Sequence, residues 1–303
     1  MIRWNTIKSY GIAAIFCLVS NLVPAQKHFV IYSVTGNVSI KTNNEESRAI
    51  AGKLLTANHV ININTDGGIA LICKEGTIFS ITETGSFSLD QFGNSCPTGT
   101  GHTITNYAQY LWKHGTKPYD NPGRFRKAYM NGIGARTGLG EIWVNSMFDT
   151  LNYSGIGDLP LSWKSYSEKQ FDFHLYYSDN IETPLFSDVL SKDIILISDF
   201  LSSMKQGGTF YWTVSTRGGE NTRLNVLNYV SKETYEGVLS GIGNRKPAIE
   251  APAEQAYRTA FMLEDAHYLA EAYQYYTKAV SLDSTNALYR STLMSFKKDY
   301  EIK

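Results

Sequence analysis

The chain has 303 residues, 43% of them hydrophobic, and 28 basic against 28 acidic side chains, a formal net charge of zero. That length exceeds one ordinary hydrophobic core and suits two or three modules. The balanced charge excludes the basic footprint that nucleic acid demands.

Residues 1–25 read as a secretory signal peptide. Arg3 and Lys8 give a positive start, Gly11 to Val23 form a short apolar run, and Val23 and Ala25 sit where a signal peptidase reads small residues, before Gln26. The run is shorter than the ~20 apolar residues that span a bilayer. Cys17 follows Phe16, which does not suit lipid attachment. The expectation is export to the periplasm or beyond, with no stable membrane insertion afterwards. Cleavage removes Arg3 and Lys8 from the 28 basic residues, leaving 26 against 28 acidic, a net charge of −2. Cys73 and Cys96 remain. An oxidising compartment permits a disulfide between them. Two reduced thiols fit as well, because spacing does not fix connectivity.

Residues 27–95 read as short strands: "FVIYSV", "VSI", "HVINI", "GIALIC", "TIFSI" and "SFSL". Turn signals separate them, among them Gly36-Asn37, Asp66-Gly67-Gly68 and Glu75-Gly76. Ile69, Leu71 and Cys73 share one face, Ala70 and Ile72 the other, so both faces are apolar and a small sandwich or roll is expected. From Phe29 to Leu89 this stretch resembles a FecR-type domain. Val34, Gly36 and Val38 match the opening V-x-G-x-V of that family, and Gly52 and Leu54 its second element. Asn58 and Gly67-Gly68 depart from it. The resemblance implies protein–protein contact in regulation at the cell envelope.

Residues 96–157 read as a connector with one helix, because Ile104, Ala108, Leu111 and Trp112 in "TITNYAQYLWKH" recur at helical spacing. Tyr110, Trp112 and Tyr119 are candidates for exposed aromatic contacts, with core positions the competing assignment. Alternation returns over 158–219. Phe171, Phe173, Leu175 and Tyr177 share a face, "DIILIS" reads as a strand on its β-branched residues, with a helix the alternative, and "TFYWTV" follows Gly207-Gly208. This segment resembles an immunoglobulin or fibronectin type III-like sandwich, which implies Trp163 and Trp212 as core residues.

Residues 220–252 hold a strand, a helix that Ser231 can cap with Glu233 near its positive end, and a linker marked by Pro247 and Pro252. Residues 253–303 read as three helices. Ala256, Ala260 and Leu263 line one face of the first, Ala272, Tyr276 and Ala279 one face of the second, and Tyr289, Leu293, Phe296 and Tyr300 form a covering stripe on the third. Ala260, Ala272, Tyr276 and Ala279 fall on the small–small–aromatic–small positions of a tetratricopeptide repeat, which this hairpin resembles. Ala256 replaces that family's usual Trp, and Ser284 stands where Pro would close the unit. One repeat is short of the three or so that an independent solenoid needs, so the hairpin must dock on the β-body or meet a partner. The expected fold is mainly β with an α-helical C-terminus.

Catalytic motifs are missing. The six histidines (28, 59, 102, 114, 174 and 267) lack metal-ligand spacing. Asn62, Asn64 and Asp66 open like a calcium loop, but Cys73 occupies the place of its closing Glu. Gly132, Gly134, Gly138 and Gly140 miss the dinucleotide spacing. No nucleophile elbow is present. The reading is therefore a non-enzymatic exported adaptor or scaffold with an envelope or secreted protein partner, no cofactor, no metal and no nucleic acid. A glycan- or cell-wall-binding protein is the alternative.

Overall fold

A computed structural model describes residues 28–43, 45–74, 76–92, 103–104, 106–117, 122–130, 142–166, 170–219 and 223–302. The signal segment, Cys96, His102, Tyr119 and the glycine-rich run from Gly132 to Gly140 lie outside them.

The chain is mainly β. The first module holds β1 (His28–Thr35), β2 (Val38–Thr42), β3 (Glu45–Arg48), β4 (Leu54–Thr56), β5 (Val60–Ile63), β6 (Gly68–Ile72), β7 (Thr77–Ile81) and β8 (Gly85–Ser88), joined by β9 (Thr103–Ile104). They form two antiparallel sheets, ordered β4-β1-β6-β7-β9 and β3-β2-β5-β8. Phe29, Ile31, Leu55, Ile69, Leu71 and Phe79 of the first sheet pack against Val38, Ile40, Ile61 and Ile63 of the second. Burial by alternate residues on a pleated strand is what makes this sandwich form. Gly36 (φ +62) sits against the β5–β6 turn, where a Cβ would lie 2.4 Å from the Asp66 carbonyl oxygen. Asp66 itself carries the positive φ of that turn.

The first sheet is buried on both faces. Val30, Tyr32, Ala70, Ile72 and Ile78 point away from the sandwich and join the cluster that fills the rest of the molecule. They pack beneath α1 (Asn106–Thr116). Tyr32 meets Tyr107 edge-on, and Tyr107 meets Phe261 at 5.3 Å.

The middle region has two more sheets. One runs β10 (Ile142–Val144), β12 (Pro160–Ser165), β15 (Ile194–Leu196). The other runs β11 (Thr150–Tyr153), β17 (Asn225–Tyr229), β16 (Gly208–Thr216), β13 (Phe171–Tyr177), β14 (Phe186–Leu190). Among the described residues every strand pairing here is antiparallel except β11 with β17. Strands β10 and β11 come from the stretch read as connector, and β17 from the segment after the sandwich. A parallel partner so distant in sequence leaves no local signal. Trp163 and Trp212 are both buried, each stacked with Phe173, at 6.5 and 6.0 Å. The "DIILIS" strand stops at Leu196, and α2 (Ile197–Phe200) takes over. There the Asp199 carboxylate accepts the Leu196 N–H at 3.0 Å, and Asp158 accepts the N–H and hydroxyl of Ser198. The local Asp199 bond and the long-range Asp158 bonds together outcompete the β-branched preference for strand.

Among the described residues four helices follow: α3 (Lys232–Gly243), α4 (Pro252–Asp265), α5 (Leu269–Leu282) and α6 (Ala287–Asp299). Ser231 caps α3 by accepting the Thr234 N–H, Pro252 stands at the first turn of α4, and Asn286 accepts from Leu288 and Tyr289 to cap α6. His267, at φ 62, turns the chain between α4 and α5. Ala260, Ala272, Tyr276 and Ala279 are all fully buried in the helical layer.

The helical layer lies between the two β-modules. On one side Tyr257 and Phe261 of α4 meet Tyr107 and Tyr110 of α1, which cover the first module. On the other, β11 abuts the α4–α5 turn, where Asn152 donates its backbone N–H to the His267 carbonyl at 3.0 Å and its amide to the Ala266 carbonyl at 2.9 Å.

Candidate functional site

Buried polar bonds, used structurally, join the layers. Arg126 and Glu264 are both fully buried; Arg126 donates from Nε and Nη2, each at 2.8 Å, and the Tyr276 and Tyr300 hydroxyls add two bonds at 2.9 Å. A second buried pair, Arg258–Glu250, also receives the Tyr32 hydroxyl from β1. Burial and the Glu250 carboxylate hold the Tyr32 phenol well above its usual range. Glu271 of α5 accepts the Ser154 N–H at 2.6 Å, and its other oxygen has no partner among the described residues. Burial pushes that carboxyl up.

An open site lies on the outer face of the β3-β2-β5-β8 sheet. Because Val38, Ile40, Ile61 and Ile63 face the core, Ser39, Lys41, Val60 and Asn62 face outward. The register sets Ser39 opposite Asn62, Asn62 opposite Ser86, and Lys41 opposite Glu46. A chain of side-chain bonds follows across all four strands. Ser39 donates to Glu46, Asn62 donates to the same Glu46 oxygen at 3.2 Å, and Ser86 donates to Asn62 at 2.7 Å. The Ser39 hydroxyl, then the Asn62 amide, hold the Glu46 carboxyl below its ordinary value. Around this ladder lies a trough of about 600 Å³, rimmed by Asn43, Asn58, Asn64 and Thr84. Its walls offer amides, hydroxyls, one ammonium and one carboxylate, and no aromatic side chain. That set can recognise hydrogen-bonding groups through its amides, hydroxyls and one charge of each sign.

Of the candidate site residues singled out from sequence, Asn62 and Asn64 line the trough and the other described ones fall elsewhere. Tyr110 is 2% exposed, not an exposed contact, because α1 is clasped between the first sheet and α4; its ring stacks on Phe261 at 5.5 Å. Trp112 is partly buried against the same core. Cys73 is 3% exposed and disulfide-bonded. Asn62 and Asp66 serve the ladder and a turn, and among the described residues no group of three or more His, Cys, Asp or Glu side chains gathers as a metal site. The ladder residues carry one legible signal, polar Ser39 and Lys41 at alternate positions of β2 and Asn62 between Ile61 and Ile63 of β5. What sequence does not show is the strand order that lines them up.

No family model matches the chain, and a search of curated proteins finds no match.

Proposed function

We propose that the protein is a non-enzymatic exported adaptor or scaffold at the bacterial cell envelope, with the trough on the β3-β2-β5-β8 sheet as its contact surface for a partner protein. The first module acts as the FecR-like contact module, and α4–α5 as a tetratricopeptide-like unit whose small-residue face is spent internally. The observation that carries this reading is the preorganised ladder Ser39–Glu46–Asn62–Ser86 on an open sheet face. Side chains held in place before binding lower the entropic cost of association, and the rigid helical layer behind the module fixes how that face is presented.

Affinity capture from an envelope extract tests it, with the wild-type chain beside Asn62→Arg and Glu46→Lys. The expected result is a partner protein retained by the wild type and lost by both variants. Equal capture by all three chains, or substrate turnover abolished by a single His or Asp substitution, overturns it.

A further inference from the structure

A different surface carries chemistry that the adaptor reading does not use. A pocket of about 310 Å³ lies where the β10–β12 edge meets the end of α6. Trp143 on β10 is 42% exposed and forms one wall, opposite Lys164 on β12 in the register. The Lys164 ammonium stands 5.9 Å from the Trp143 ring centroid and 3.9 Å from Glu301. Lys127 reaches Asp299 at 3.5 Å and lies over the Tyr300 ring at 4.6 Å. Lys298 adds a third ammonium and has no ion pair among the described residues. Trp163 lines the same space, and its buried Nε1 donor has no partner among the described residues.

We propose that this pocket binds a carboxylated sugar ring. The exposed Trp143 face offers a flat apolar surface for the C–H face of a pyranose. Three ammonium groups against the Asp299 and Glu301 carboxylates, with the Arg126 guanidinium 3.0 Å from Asp299 offset by Glu264, leave one net positive charge. That suits one carboxylate better than the double charge of a phosphate. Asp299 and Glu301 are acceptors for ring hydroxyls, and the Ser162 hydroxyl can take either role. The volume sits at the small end of ligand pockets and suits one ring. The inference stands independently of the trough, since the two surfaces share no residue.

The test is titration of the full chain with sodium D-glucuronate, followed by tryptophan fluorescence and calorimetry. D-glucose, adenosine monophosphate and oligogalacturonate are the comparison probes. Expected are saturable millimolar glucuronate binding, at least tenfold weaker glucose binding, and weakening as salt rises. Trp143→Ala and the pair Lys164→Ala/Lys298→Ala should each lose tenfold or more. Both alterations are at exposed positions, and unchanged circular dichroism confirms their folding. Oligogalacturonate binding tighter than the monosaccharide identifies a polymer end as the source; equal binding identifies the free sugar acid. No saturation with glucuronate, binding indifferent to Trp143→Ala, or tighter binding of adenosine monophosphate overturns the proposal.

Discussion

Replacing Arg126 by Met removes the cation from a site that water does not reach. Glu264 then keeps two of its four donors, the hydroxyls of Tyr276 and Tyr300, and its full charge remains buried. Breaking a buried pair from one side costs about 3–5 kcal/mol, because the partner is left uncompensated. Replacing the whole pair by apolar side chains removes the stranded charge, while the Tyr276 and Tyr300 hydroxyls, the Gly123 carbonyl and Asp299 lose a partner, so the recovery is partial. Arg126→Met should therefore lose about 3–5 kcal/mol in urea unfolding followed by tryptophan fluorescence, with an unchanged m-value. Arg126→Met/Glu264→Leu should recover at least about 2 kcal/mol of that. A single variant within about 1 kcal/mol of wild type, or a double variant whose losses simply add, would refute the keystone role of this pair.

Three further outcomes follow from the same packing. Burial raises the folded pKa of Glu271 above its unfolded value of about 4.3, so the folded state holds that proton to higher pH. The stability it contributes is complete below the unfolded pKa and lost as pH climbs through the folded one; Glu271→Gln should therefore raise the melting temperature at pH 7, with the gain vanishing near pH 4. Gly123→Ala would place a Cβ 2.6 Å from the Ser291 carbonyl oxygen and the Thr292 Cα of α6, and should destabilise by about 1–3 kcal/mol in the urea assay. Ala272→Leu overfills the helical layer and should cost a similar ~1–3 kcal/mol, whereas a change at exposed Met294 should leave the unfolding midpoint alone.

Local patterns in the sequence carried most of the elements. The alternation of Ile69, Leu71 and Cys73 against Ala70 and Ile72 is the division between two cores. It could be read directly because a strand side chain has only two directions to point. Trp163 and Trp212, expected as core only through the sandwich resemblance, are buried, and Ser231 was legible as a cap from its chemistry. What needed tertiary structure was pairing at a distance. β11 beside β17 spans a gap that no period reveals. Tyr110 looked available because helical spacing assigns a face but not how many neighbours cover it; α1 is covered on both sides. The trough depends on strand order in one sheet, and the Trp143 pocket on a β-edge meeting a helix end, so neither had a contiguous motif to announce it.

The central claim is that the helical hairpin is an internal keystone between two β-modules and not a free arm. Native-state hydrogen exchange read by mass spectrometry tests it most directly. Amides of α4 and α5 should exchange only through the same global opening as those of β6 and β16, with one common free energy and one common denaturant dependence. Exchange of α4 and α5 through a separate, low-energy opening, while both β-modules stay protected, would contradict it.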